Sequence, residues 1–191
     1  MSDNLVRLGL AQNYCAPRED LSLEDLYQRY RTPVFQYLYR LCGSAEQAED
    51  LAQETFVKAC VGLLAFRGDC SIATWLFRIA RNVYLGSLRR SSPTRIDTDE
   101  LLAIPDRDSS GDPVQRYAAR EQRSLIDLAL DQLPEKQRSI LLLRDQEGLS
   151  YAEIADVLDI SLSAVKVNLF RARNAFRATY NALNQEFEGE R

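Results

Sequence analysis

Between Ser22 and Arg90 apolar positions recur every three or four residues, with short breaks and no alternating run long enough for a sheet. The spacing predicts a first helix over about residues 22–42 that buries Leu26, Tyr30, Val34, Leu38 and Leu41. It predicts a second over about residues 44–64, with Ala48, Ala52, Thr55, Phe56 and Ala59 on its core side. Asp50, Gln53, Glu54 and Val57 then lie together on another face, since residues three and four apart stack on one side of a helix. A Gly-containing loop, FRGDC, leads into a third helix whose predicted buried stripe is Ile72, Trp75, Leu76, Ile79 and Val83.

Beyond Leu133 the period is again helical, but the elements are shorter. Ser150 and Glu153 have the spacing of a capping box, in which two side-chain oxygens accept the free amides of a helix start. Ile154, Ala155 and Leu158 give that helix one apolar stripe. Ser161 supplies another cap a few residues later, and the helix it opens places Val165, Leu169, Ala172 and Phe176 on one face. Val167, Phe170, Arg171 and Asn174 point outward, with Lys166 and Arg173 on the flanks. Two capped helices this close form a helix-turn-helix, and the second is laid out as a recognition helix.

Charge separates the two halves. Residues 91–113, SSPTRIDTDELLAIPDRDSSGDP, hold three prolines, six acids and two arginines, and read as a linker. Its net charge equals the −4 of the whole 191-residue chain, so the flanking segments are almost neutral and keep their cations on particular helices. From Cys70 to Ile96 there are five arginines and no acid; between Ile160 and Gln185 there are four cations and no acid. An acidic chain rarely holds duplex DNA unaided, because clustered Lys and Arg normally supply most of the affinity. Something else is expected to bring it there.

On the outward face of the last helix, Phe170 has no packing role and could meet a thymine methyl while Arg171 or Lys166 reaches a guanine edge. Asn82, Tyr84 and the arginines of the third helix are groups of the kind that contact phosphates and unstacked bases. Trp75 alone would be read as core; the basic face beside it points to nucleic acid. No apolar run approaches a membrane span and the N-terminus lacks a signal-peptide pattern, so a cytoplasmic protein is expected. Cys15, Cys42, Cys60 and Cys70 form no CxxC pair and the chain has no histidine, which argues against a zinc or disulfide scaffold.

The acidic DLAQETF helix, FRGDCSIATWLFRIARN with its trailing LRR, an acidic linker and a terminal LPEKQRSILLLRDQEGLSYAEIA come in an order that resembles the extracytoplasmic-function sigma factors of bacterial RNA polymerase. The resemblance spans about residues 22–180. It implies an all-α chain of two small helical domains joined by a flexible acidic linker. The expected divisions are an extension (1–21), a region 2 domain (22–92), a linker (93–114), a region 4 domain (115–186) and a tail (187–191). It also implies that Asp50, Leu51, Gln53, Glu54 and Phe56 contact core polymerase. Phe66, Gly68, Ser71, Arg78, Arg81, Asn82, Tyr84 and Arg89 would serve the −10 element, with the loop from Phe66 to Ser71 receiving a base that has left the stack. Ser163, Lys166, Asn168, Phe170, Arg171 and Arg173 would serve the −35 element. Val167 and Asn168 depart from the commoner family pattern of a small serine followed by arginine, so no promoter sequence can be carried over. An anti-sigma factor, often membrane-anchored in the family, is an implied partner.

No catalytic constellation, metal set or cofactor loop appears, and neither an enzyme nor a small-molecule substrate is expected. The rival reading is a dimeric helix-turn-helix regulator that binds duplex DNA alone, with half-sites about one helical turn apart. A purely helical adaptor would leave both acid-free basic helices unexplained.

Overall fold

The computed structural model describes residues 22–91 and 124–189. The expected extension, the linker, the start of the second domain and the last two residues lie outside them. Among the described residues there are seven α-helices and no strand.

Three helices build the first domain. Helix α1, Leu23–Cys42, starts at a full capping box: the Ser22 hydroxyl accepts the Asp25 amide and the Asp25 carboxylate accepts the Ser22 amide. It stops at Gly43, whose left-handed backbone lets its N–H reach the Tyr39 carbonyl at 2.7 Å. Helix α2, Ala45–Leu63, follows at once, capped by Ser44. In α3, Ile72–Ser91, the Ser71 hydroxyl accepts the Thr74 amide. All five predicted core residues of α1 and all five of α2 are buried. The stripe of α3 is turned by about one position: Ala73, Leu76, Phe77, Ala80, Val83 and Tyr84 are buried, whereas Ile72, Trp75 and Ile79 are only partly covered. Ala73 and Ala80 are buried on this stripe, and Phe77 fills the centre edge-on to Tyr37 at 5.4 Å.

The second domain comprises α4 (Leu125–Asp131), α5 (Glu135–Leu141), α6 (Tyr151–Leu158) and α7 (Leu162–Gly189). Helix α5 runs on into one π-helical turn, Leu142–Gln146, where the Glu147 amide reaches back to the Leu142 carbonyl. The predicted capping box of Ser150 and Glu153 is present, and Ser161 caps α7 through the Ala164 amide. Asp159, left-handed at φ 53°, makes the turn between α6 and α7. Ile154, Leu158, Val165, Leu169 and Ala172 are buried as expected, Ala155 and Phe176 are only partly covered, and α7 continues through residues 187–189.

The two domains pack together, with α3 against α6 and the C-terminal half of α1 against α4 and α5. Much of this contact is polar. Arg138, almost fully buried, donates to the carbonyls of Arg40 and Leu41 across the interface and to Asp131 and Leu133 in its own domain. The Tyr37 hydroxyl lies 3.1 Å from that of Ser139, and burial pushes the phenol pKa up, so it stays protonated. Arg40 bonds Gln146 at 2.6 Å and pairs with Asp127 at 3.4 Å.

Candidate nucleic-acid interface

Three surfaces carry the expected functional residues. On α2, Asp50 and Gln53 are exposed and Glu54 is partly covered. Lys58 and Arg90 both reach Glu54, and the Lys58 bond foremost holds its carboxyl below the usual glutamate range. Leu51 and Phe56, expected at the polymerase contact, are buried instead, because they fall on the stripe that faces the core; Phe56 packs edge-on against Tyr27. A feature the motif did not disclose lies on the outer side: Val57, Val61 and Leu64 are 63, 77 and 98% exposed and follow one another at helical spacing. Apolar residues falling off the core stripe were the available signal.

The second surface is α3 with the loop before it. Phe66 packs on Trp75 with ring centroids 5.1 Å apart, and Gly68 turns the loop with a φ of 74°. Asn82 and Arg89 are exposed, and Arg78 reaches over Cys70. Tyr84 requires correction as a −10 residue. It is only 4% exposed and its hydroxyl donates to the Leu41 carbonyl, because the rotated stripe carries position 84 into the core. Ser71 and Arg81 lie at the domain junction. The Ser71 and Thr74 hydroxyls both contact one carboxylate oxygen of Glu153, at 2.8 and 3.1 Å, while Arg81 lies 3.4 Å from Glu135. Burial alone would raise the Glu153 carboxyl, but the bonds from Ser150, Ser71 and Thr74 together hold it low. Glu153 was legible only as a helix cap, and neither Thr74 nor Glu135 stood out in the sequence, since nothing in a sequence pairs residues across domains.

The third surface is the outer face of α7. Ser163, Lys166, Phe170, Arg171 and Arg173 are all exposed, Phe170 at 69%. Asn168 is partly covered and its amide donates to the Ala164 carbonyl at 2.8 Å, which directs it along its own helix. Arg173 is gripped by Asp145 through two bonds, one of 3.1 Å, and that contact raises its pKa. Cys42, Cys60 and Cys70 are free thiols. No described helix is long and apolar enough to cross a membrane.

Two helical domains, one ending in a helix-turn-helix with a basic outer face and the other carrying an arginine-bearing helix beside an acidic one, define a two-domain DNA-associated protein. The family models bear on both halves: Sigma-70 region 2 matches residues 26–94 and Sigma-70, region 4 matches residues 123–176. The RNA polymerase sigma factor YlaC of Bacillus subtilis (strain 168) is 40% identical over 156 residues, covering 80% of this chain and 88% of that protein. The ECF RNA polymerase sigma factor SigW of the same organism is 30% identical over 160 residues, covering 80% and 86%. Among solved structures, the sigma factor RpoE in complex with the anti-sigma factor NepR from Bartonella quintana shares the fold with a TM-score of 0.62 at 22% identity, covering 83% of this chain and 96% of that one. The chain belongs to the extracytoplasmic-function sigma factors, a family of transcription initiation factors rather than enzymes. A dimeric regulator is not favoured, since the N-terminal half is region 2 rather than a sensing or dimerisation domain.

Proposed function

We propose that this chain is an alternative sigma factor that binds core RNA polymerase and directs it to promoters by reading the −35 element and opening the −10 element. Residues 22–92 and 115–186 are the working domains, and residues 93–114 tether them. The exposed edge of α2, Asp50, Gln53 and Glu54 with Val57, Val61 and Leu64, meets the polymerase; acids orient the encounter and apolar side chains supply buried area. Leu51 and Phe56 hold that edge from behind.

Asn82, Arg78, Arg89 and the loop from Phe66 to Ser71 hold the melted strand. On α7, Phe170, Lys166, Arg171 and Ser163 face the −35 duplex, with Arg173 flanking them. The observation that carries the reading is the exposed Phe170 amid cations on a capped recognition helix, in the same chain as a second arginine-bearing helix. The protein acts in the cytoplasm, where its polymerase is. An anti-sigma factor, a membrane-anchored one included, is its regulator, a reading supported by the RpoE structure with its own anti-sigma factor.

Run-off transcription with purified core polymerase and genomic fragments tests this. Discrete transcripts should appear only when the chain is added. Tight, sequence-specific binding of duplex DNA by the free chain at physiological salt, with no transcripts on adding core, would refute it.

A further inference from the structure

Anion-binding groups on α3 are already occupied, and their occupants come from the helix-turn-helix domain. At the start of α3 the Ser71 and Thr74 hydroxyls converge on Oε1 of Glu153, with Thr74 fully buried. Oε2 of the same carboxylate accepts the Ser150 amide, so one glutamate caps α6 and grips α3. Two turns along, Arg81 meets Glu135 with both side chains about nine-tenths covered, at 13 and 14% exposure. Glu135 is fixed there by the Ser139 hydroxyl, which also touches Tyr37.

A carboxylate on a helix-start hydroxyl pair and a carboxylate on an arginine are the contacts a nucleic-acid phosphate would make with the same groups. We propose that the helix-turn-helix domain is a built-in competitor for the −10 strand: Glu153 on Ser71 and Thr74, and Glu135 on Arg81, hold the free chain closed until the domains separate. This rests on the assignment of α3 to the melted strand.

The contact is built to open. Arg81 Nε lies 3.4 Å from Glu135 Oε1 without the alignment of a hydrogen bond, so this buried pair is held by charge alone. A buried ion pair gives little net stability once both charges have been desolvated. The polar contacts lie beside apolar packing shared by both domains, and an interface within one chain that mixes the two allows the domains to move. Linkage then requires reciprocity: whatever strand binding gains from opening, opening gains from strand binding.

The test compares the full chain with Glu135→Gln/Glu153→Gln. Glutamine at position 153 still completes the capping box, and circular dichroism verifies that the helices persist. Glu186→Gln/Glu188→Gln, at exposed positions near the end of α7, removes the same charge and measures the purely electrostatic gain. Radii of gyration come from small-angle X-ray scattering, and binding from fluorescence anisotropy with a labelled twelve-nucleotide oligothymidylate. The interface variant should expand and bind about tenfold tighter than the control variant, the factor expected if a tenth of the wild-type molecules are open. The oligonucleotide should in turn expand the wild type. Equal and measurable binding by both variants would overturn the competition while leaving α3 a strand-binding helix. Absence of binding by either would overturn it together with the assignment of α3, and the two failures are told apart by that difference.

Discussion

Replacing Tyr84 with phenylalanine separates a core role from a DNA role with one oxygen atom. The ring stays in a site that is 4% exposed, so its apolar contacts are kept. What is lost is the bond from the hydroxyl to the Leu41 carbonyl at 3.1 Å. That carbonyl also accepts from Arg138 at 3.1 Å, so it is not orphaned, and the cost should be the net worth of one neutral bond, about 0.5–1.5 kcal/mol. With a urea dependence of about 2 kcal/mol per molar, the unfolding midpoint should fall by roughly 0.5 M. Run-off transcription at 25 °C should equal that of the wild type, because no hydroxyl facing DNA has been removed. Transcription reduced tenfold with an unchanged urea midpoint would refute the reasoning, since a buried bond cannot be lost without cost and a lost DNA contact would have to explain the defect.

Asp50→Lys/Glu54→Lys should abolish assembly with core polymerase by gel filtration while keeping helical circular dichroism; the partly covered Glu54 loses only surface partners, Lys58 and Arg90. Arg171→Ala should weaken −35 duplex recognition by about 1–3 kcal/mol, and Asn82→Ala should instead impair opening, so a promoter already mismatched at −10 should rescue Asn82→Ala more than Arg171→Ala. Equal rescue would dissolve that division. Glu147 supplies a pH dependence: burial pushes its carboxyl up to about 8, with Arg40 opposing, against an ordinary value of 4.5. Between those values the folded state retains a proton that the unfolded chain has released, so the stability it contributes is complete at low pH and declines as pH rises toward 8, by roughly 3–5 kcal/mol. Glu147→Gln should flatten the profile and be the more stable form at pH 8; an identical slope in both proteins would assign it elsewhere.

Most helix boundaries were legible because caps are local. Ser22, Ser44, Ser150 and Ser161 each act within three residues of themselves, and a capping box is written as a spacing. The stripe of α3 was harder to read. Trp75 and Ile79 advertise themselves as core, yet Ala73 and Ala80 are the more deeply buried, and alanine reads as neutral in any pattern. The assignment of Tyr84 to DNA rests on its chemistry and the family resemblance, and neither tells which side of the helix it falls on. Leu51 and Phe56 show a related limit, since a motif marks which residues matter without saying whether they touch the partner or hold the ones that do. The buried charges of Arg138, Arg81 and Glu135 stayed hidden because their partners lie far away in sequence.

The grip of Asp145 on Arg173 has a consequence for how recognition responds to ionic strength. A half-exposed bridge adds little to folding, but it removes one cation from the count that α7 can offer to phosphates, leaving Lys166, Arg171 and Arg177. Each neutralised phosphate contributes about −0.9 to the slope of log affinity against log salt. Contact by three cations rather than four would therefore make a rise from 50 to 200 mM salt cost about fortyfold instead of about a hundred and fifty-fold. The contribution of Phe170 carries no such slope. As salt increases, discrimination by the apolar contact would form a growing share of what remains, and the −35 domain would become a weaker but more selective reader.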